Sequence, residues 1–348
     1  MRSRAAAIAA AAEGRAGAGR SHGKAILLGE HAVVYGAPAL ALPLPQLPVT
    51  ATATVVRDSG AGQDEISIAI ARPGNESPVP LPLEYQRHLV STFKRSTEVT
   101  HRLRVEVLIE CLVPPGRGLG SSAAYARASI LALAGACDRR LDDESVFELV
   151  QASETLVHGR ASGIDARATA ATAPIYFTSG TARELPVAMA GTGHRPDGDD
   201  AGAFHAVFVI ADSGVDGSTK EAVSLVRQRF ERVPGVRESF VHGVSELTRA
   251  ALDHLLRGRV DDFGTCMTEN QRLLRDVGVS TDRIDALVRA ARAGGAAGAK
   301  LSGGGLGGCV IAVADGPARS VAVAQHLRAA GAEHIWTVRT GRFAGCDH

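Results

Sequence analysis

The sequence predicts an α+β fold in two domains, the second of them ferredoxin-like. Three observations lead there. The chain of 348 residues is long enough for two separate cores. Its first half mixes short alternating strands with helices. Beyond a polar, glycine-rich segment at 191–202, the order becomes β-α-β-β-α-β once three middle helices are set aside as an insertion. The expected organisation is a leader over 1–20, an N-terminal domain over 21–190 and a C-terminal domain over 203–348.

The elements follow in order. Arg2 and Arg4 precede an alanine run at 5–12, loosely like a signal peptide. Alanine makes a poor signal core and Glu13 ends the run, so a disordered leader through about Arg20 is expected instead. Residues 24–28 read as a short strand, 49–56 alternate as a second and 65–70 as a third. The Pro/Gly-rich stretch 72–82 reads as a loop, 85–95 as a helix and 103–110 as a strand. A helix is expected over 122–135. Another opens at Asp142-Asp143-Glu144, acids suited to the positive end of a helix dipole, and stops near Gly159. Asp165 follows a Ser-Gly turn and reads as the N-cap of a helix over 166–172. Residues 191–202 are the linker or exposed-loop candidate. Past them come a strand at 205–211, helices at 219–231, 236–257 and 261–275, then helix 282–293, strands 297–301 and 309–314, helix 317–329 and strand 334–339.

Composition narrows the function. Lys+Arg 38 against Asp+Glu 37 leaves a net charge of +1, so no global field favours nucleic acid or an anionic membrane. Aromatics make up 4% with a single Trp, which argues against stacking on single-stranded nucleic acid. Five cysteines at 111, 137, 266, 309 and 346 are odd in number and scattered, as suits a reducing cytoplasm better than a disulfide framework or a zinc site. No apolar run approaches a membrane span.

Three clusters carry the chemistry. In Pro114-Pro115-Gly116-Arg117-Gly118-Leu119-Gly120-Ser121-Ser122, glycines let backbone N–H groups turn inward, and the helix behind adds positive partial charge. Two hydroxyls then sit where a phosphate oxygen or its metal ion is within reach. The second cluster, residues 23–36, begins Gly23-Lys24 and contains Glu30-His31. It fails the Walker A pattern, since position 18 is Ala18 and no Ser/Thr follows the lysine. The third, Lys300-Leu301-Ser302-Gly303-Gly304-Gly305-Leu306-Gly307-Gly308-Cys309, contains a literal G-x-G-x-x-G. A strand rather than a helix follows it, which excludes a Rossmann site. Glu154 and His158, four apart, share one helix face ahead of Asp165.

In this order and spacing the clusters resemble the three motifs of the GHMP kinase superfamily, and within it most closely the mevalonate kinase family. Glu154 through Asp165, and Glu269-Asn270-Gln271 ahead of Leu273-Leu274, agree as well. The resemblance implies an N-terminal domain like ribosomal protein S5 domain 2, a ferredoxin-like C-terminal domain and a small-molecule kinase of isoprenoid biosynthesis. The implied reaction is ATP- and Mg²⁺-dependent phosphorylation of the C5 hydroxyl of (R)-mevalonate to 5-phosphomevalonate.

Residue by residue, the resemblance assigns Pro115, Gly116, Gly118, Leu119, Gly120, Ser121 and Ser122 to the ATP phosphates. Gly303, Gly304 and Gly305 would close beneath them. Ser122 and Glu154 would hold Mg²⁺. Asp165 would take the proton of the substrate hydroxyl, with Lys24 beside both, and Glu30 and His31 would recognise mevalonate. Whether Asp165 removes the proton fully or Lys24 alone polarises the hydroxyl stays open. No nucleic-acid or membrane partner is implied, and the sequence permits a homodimer without requiring one. Three positions depart from the family pattern: Ser21-His22 in place of Ala-Pro, Leu306 where glycine or a polar residue is common, and Arg117, expected to point to solvent, where a small residue is common. Phosphomevalonate kinase would call for extra basic residues near Glu30-His31, and a non-catalytic sensor would not need the full set of Lys24, Ser122, Glu154 and Asp165.

Overall fold

The computed structural model describes residues 14–58, 62–74, 77–159, 161–189 and 204–341. In chain order the elements are β1 (Arg15–Leu28), β2 (Ala39–Asp58), β3 (Glu65–Ala71), β4 (Val79–Pro80), α1 (Leu83–Ser96), β5 (Arg102–Cys111), α2 (Ser121–Ala136), α3 (Asp143–His158) and α4 (Ile164–Ala168). They continue with β6 (Ile175–Thr178), β7 (Thr181–Glu184), β8 (Ala206–Asp212), α5 (Thr219–Arg232), α6 (Val236–Leu256), α7 (Val260–Asp276) and α8 (Asp282–Ala293). The last four are β9 (Gly298–Ser302), β10 (Cys309–Ala314), α9 (Pro317–Ala329) and β11 (Ile335–Thr340).

The chain divides into two compact units, neither continuous in sequence. Of the described residues, the first takes those up to Gly23, then Gln46–Val113 and Gly120–Ala170; the second takes Lys24–Pro45, Pro114–Leu119 and those from Ala171 onward. Sequence reading places one boundary at 190–203, whereas β1 and β2 each contribute residues to both units. The linker expected at 191–202 lies outside the described residues.

In the first unit β5 is the organising strand. It runs antiparallel to β2, Val49 opposite Cys111 through Asp58 opposite Arg102, and parallel to β3. Its alternation is regular: Leu103, Val105, Val107 and Ile109 are buried while Arg104, Glu106 and Glu110 face outward. Helix α1 buries Leu89, Val90 and Phe93, and α3 buries Leu149 and Val150. Asp142 caps α3, accepting from Ser145 N at 2.8 Å.

Two expectations need correction here. The leader through Arg20 is too long, because β1 already begins at Arg15; residues 1–13 lie outside the described part. The low hydrophobicity of Arg15-Ala16-Gly17-Ala18-Gly19-Arg20 has a packing cause. A Cβ on Gly17 would stand 2.2 Å from Ala132 O of α2, and one on Gly19 2.0 Å from Ala128 O. Strand and helix meet backbone to backbone, which leaves no room for side chains at these positions. Strand β2 also starts ten residues before the expected 49. Its early part carries Pro43, Pro45 and Pro48, which lack N–H groups. They fall between the ladder to β6 at Ala39–Ala41 and the ladder to β5 from Val49, where neither ladder needs a donor.

The second unit contains a four-stranded antiparallel sheet in the order β11-β8-β10-β9. With α8 and α9 this is the expected β-α-β-β-α-β arrangement, and α5, α6 and α7 are the expected insertion. Strands β8 and β10 are buried at every residue, as a sheet covered on both faces requires. Val209, Leu301 and Val310 pack in one cluster with Val244, Leu274, Leu287 and Leu327 from the helices. Helix α7 lies on β9 so closely that a Cβ on Gly298 would stand 1.9 Å from Gly264 O. Strands β6 and β7, unforeseen in the sequence, form a short hairpin at the start of this stretch.

Gly19→Ala should lower stability by roughly 1–3 kcal/mol, the usual cost of forcing extra volume into a packed contact. Thermal unfolding measures it; an unchanged midpoint would show that the strand can move off α2 without penalty.

Candidate active site

In the second unit the Pro114–Leu119 part of the first glycine loop and the third glycine loop meet the last residues of β1. Lys24 is 2% exposed. Its backbone N–H donates to Leu119 O at 3.0 Å, and its ammonium donates to Gly118 O at 3.1 Å. Two residues on, Ile26 N–H donates to Ser302 Oγ at 2.8 Å, and the same hydroxyl donates to Ile26 O at 3.1 Å. The first and third glycine loops also touch one another. A Cβ at Gly118 (φ 73°) would stand 2.8 Å from Ser302 O, and one at Gly303 (φ 89°) 2.8 Å from the Gly118 Cα. Positive φ and the missing side chain are both required at these positions. Gly304 lies against Thr219 and Gly305 against Val279. Leu119 is buried and offers its carbonyl inward, while Pro115 and Gly116 are exposed.

Glu30 and His31 are held by the same neighbourhood. Glu30 is 4% exposed and forms a close buried ion pair with Lys300, whose side chain is wholly buried. Burial pushes the Glu30 carboxyl up and the Lys300 ammonium down, each opposed by the other's charge. Glu30 Oε2 is buried without a hydrogen-bond partner among the described residues. His31, in a left-handed conformation (φ 59°), donates from Nε2 to Gly304 O at 2.8 Å. Lys300 has no role assigned from the sequence, where it reads only as part of the strand over 297–301 and as the first residue of the third cluster. Its partner is 270 positions away, which no local pattern can reveal. Gln271 accepts from Leu301 N at 2.9 Å and so fixes α7 to the same strand.

The remaining site residues belong to the first unit. Helix α2 has Gly120 (φ 74°) as its N-cap, with no side chain capping it and no acid in its first turn. Its leading N–H groups, which include those of Ser121 and Ser122, therefore keep their positive partial charge. Ser122 Oγ lies 3.3 Å from His158 Nε2, and Glu154 Oε2 lies 3.7 Å from that same nitrogen. Glu154 is 3% exposed, and its charge joins burial in raising the Tyr85 hydroxyl pKa. The i,i+4 spacing of Glu154 and His158 is visible in the sequence, but the closeness of Ser122 to His158 is not.

Asp165 sits in the first turn of α4 and is not its N-cap. Gly163, at φ 94°, takes that position and opens the helix two residues earlier than expected. Thr169 donates from both N and Oγ1 to Asp165 O at 3.0 Å, and Ser21 Oγ donates to Thr169 O at 2.9 Å. Ser21, one of the departures from the family pattern, thus ties β1 to α4. The expectation for Arg117 is reversed: its side chain is 14% exposed and turns inward to Asp212. Leu306 adopts φ 59° and packs on the core of the second unit.

Family models for the GHMP kinases N-terminal domain and the GHMP kinases C-terminal region match residues 85–172 and 250–333. A mevalonate kinase of Pyrococcus horikoshii is 33% identical over 318 residues, covering 86% of this chain and 89% of that protein. One of Pyrococcus abyssi is 35% identical over 248 residues, covering 70% and 68%. The chain is a GHMP kinase of the mevalonate kinase family. The fold of this GHMP kinase also matches a crystal structure of L. major mevalonate kinase in complex with R-mevalonate, at a TM-score of 0.73 and 24% identity, over 95% of this chain and 98% of that one. A Streptococcus pneumoniae phosphomevalonate kinase in complex with phosphomevalonate and AMPPNP shares the fold at 0.72 and 18% identity, over 92% and 99%.

The His31 imidazole gives this GHMP kinase a pH signature. Burial lowers its pKa from 6.5 to about 4, against the raising effect of the Gly304 hydrogen bond. Between those values the unfolded chain binds the extra proton, so stability falls as pH drops through the window, by about 3 kcal/mol at its acid end. Denaturant unfolding from pH 6.5 to 4 should show a shallower decline for His31→Gln than for the parent. Parallel curves would contradict the assignment.

Proposed function

We propose that this GHMP kinase transfers the γ-phosphoryl group of ATP to the C5 hydroxyl of (R)-mevalonate. The observation that carries the reading is the convergence of the end of β1, through the Lys24 ammonium and the Ile26 backbone, with the two glycine loops, in a chain whose relatives are named mevalonate kinases. Phosphoryl transfer passes through a loose transition state, so positioned charge matters more than a strong base. In this reading the Gly116–Ser122 stretch and the α2 N-terminus take the phosphates through backbone N–H groups. Gly303, Gly304 and Gly305 line the floor below them. Lys24 favours the incipient alkoxide, and Asp165 accepts the hydroxyl proton.

The donor set suits Mg²⁺. Ser122 Oγ and Glu154 Oε2 are hard oxygen donors brought near one another through His158, and a hard cation with mostly oxygen ligands fits such a pair. When bound, Mg²⁺ neutralises phosphate charge that develops during transfer. The unpartnered Glu30 Oε2 is a ready acceptor for a substrate hydroxyl, which supports a recognition role for Glu30. Glu30 already occupies the Lys300 charge, so the phosphate of phosphomevalonate has no evident claim on it. This favours mevalonate over phosphomevalonate. Among the described residues no helix is long and apolar enough to cross a membrane; a cytoplasmic setting is part of the proposal.

ADP release from the purified protein should depend on mevalonate and not on phosphomevalonate, galactose or homoserine. Asp165→Ala should then lower kcat by at least about 100-fold, the scale of a lost proton acceptor or charge stabiliser. Near-parental turnover in that variant would remove Asp165 from the mechanism.

A further inference from the structure

Arg117 stands between two glycines of the phosphate loop, Gly116 (φ 67°) and Gly118 (φ 73°), where the backbone has little conformational preference of its own. Its Nε–H donates to Asp212 Oδ2 at 2.8 Å, its Nη1 pairs with Asp216, and its Nη2 lies 3.6 Å from Glu333. The three carboxylates differ in weight. Asp216 and Glu333 have side chains 84% and 51% exposed, so water screens them; Asp212 is 2% exposed. Burial opposes the guanidinium charge, but the hydrogen bond and charge of Asp212 outweigh it and raise the Arg117 pKa. Asp212 is itself fixed, since its Oδ1 accepts from Gly214 N at 2.9 Å. It ends β8 directly opposite Cys309, the residue that follows the third glycine loop.

We propose that Arg117 is a positioning residue for the nucleotide: its buried pair with Asp212 braces the phosphate loop in its binding shape. This rests on the kinase reading above. The guanidinium is turned onto carboxylates, so it acts on the loop and makes no phosphate contact of its own. Backbone contacts run the same way. Gly217 N–H donates to Gly116 O at 2.9 Å, and a Cβ on Gly308 would stand 3.0 Å from Arg117 O. The side-chain brace thus reinforces a docking that the main chain has begun. Asp212 and Glu333, with His334, also bring three metal-type ligand atoms within 4.8 Å of one another. Arg117 already supplies the cation there, so this cluster carries no metal proposal.

Without the brace, nucleotide binding must order a glycine-rich loop, which should weaken it about tenfold. Calorimetric titration of MgATP into Arg117→Ala, Asp212→Asn and the double variant tests this. Arg117→Ala leaves a buried carboxylate uncompensated and is at risk of misfolding. The double variant removes both charges and should unfold near the parental temperature. It should still bind MgATP about tenfold more weakly, with the kinetic loss falling on KM for ATP rather than on kcat. Parental affinity in the folded double variant would overturn the proposal. So would an Asp212→Asn variant that binds normally while Arg117→Ala does not, because the guanidinium would then act on phosphate directly. Failure of the parent itself to bind MgATP would instead defeat the kinase reading.

Discussion

The apposition of two backbones, Gly118 against Ser302 and Gly303, is the constraint on which the candidate site depends. It excludes any Cβ at either glycine and so accounts for one glycine in each loop. The Lys24 ammonium then binds the Gly118 carbonyl, and Ser302 binds both backbone groups of Ile26. Three segments more than 90 positions apart along the chain are held in one place by backbone and hydroxyl contacts. A lysine that is 2% exposed cannot wander, and its positive charge stays where the fold puts it.

Around that centre, buried charges are arranged in pairs. Glu30 is matched by Lys300 and Arg117 by Asp212, each pair joining residues that are distant in sequence. Such pairs contribute little net stability, because desolvation cancels much of the attraction. Their cost falls on any change that removes one member, so they enforce a particular arrangement. Here they anchor the Gly116-Arg117-Gly118 turn and the Glu30-His31 segment, to which the proposed function gives the nucleotide and the substrate.

Much of this was legible in the sequence, for physical reasons. Helices and strands of the second unit announce themselves by periodicity, and the ferredoxin-like order follows from it. The glycine loops are legible because positions such as Gly118 and Gly303 combine positive φ with a close backbone contact that only glycine meets. Other features were not. Gly17 and Gly19 read as a disordered leader because close packing and disorder both favour small residues. The prolines in β2 hid its first half, since a strand spared one ladder tolerates them. Arg117 read as solvent-facing because Asp212 lies 95 positions away, and Asp165 read as a cap because Gly163 took the left-handed position unannounced. The division into interleaved units was hidden too, because β1 and β2 each serve both.

The chemical identity of the product decides the proposed function. Incubation of the purified protein with ATP, Mg²⁺ and (R)-mevalonate, followed by phosphorus NMR, should give a phosphomonoester resonance coupled to the C5 methylene protons, in step with ADP. ATP turnover that yields only inorganic phosphate, or an ester on another oxygen, would contradict it.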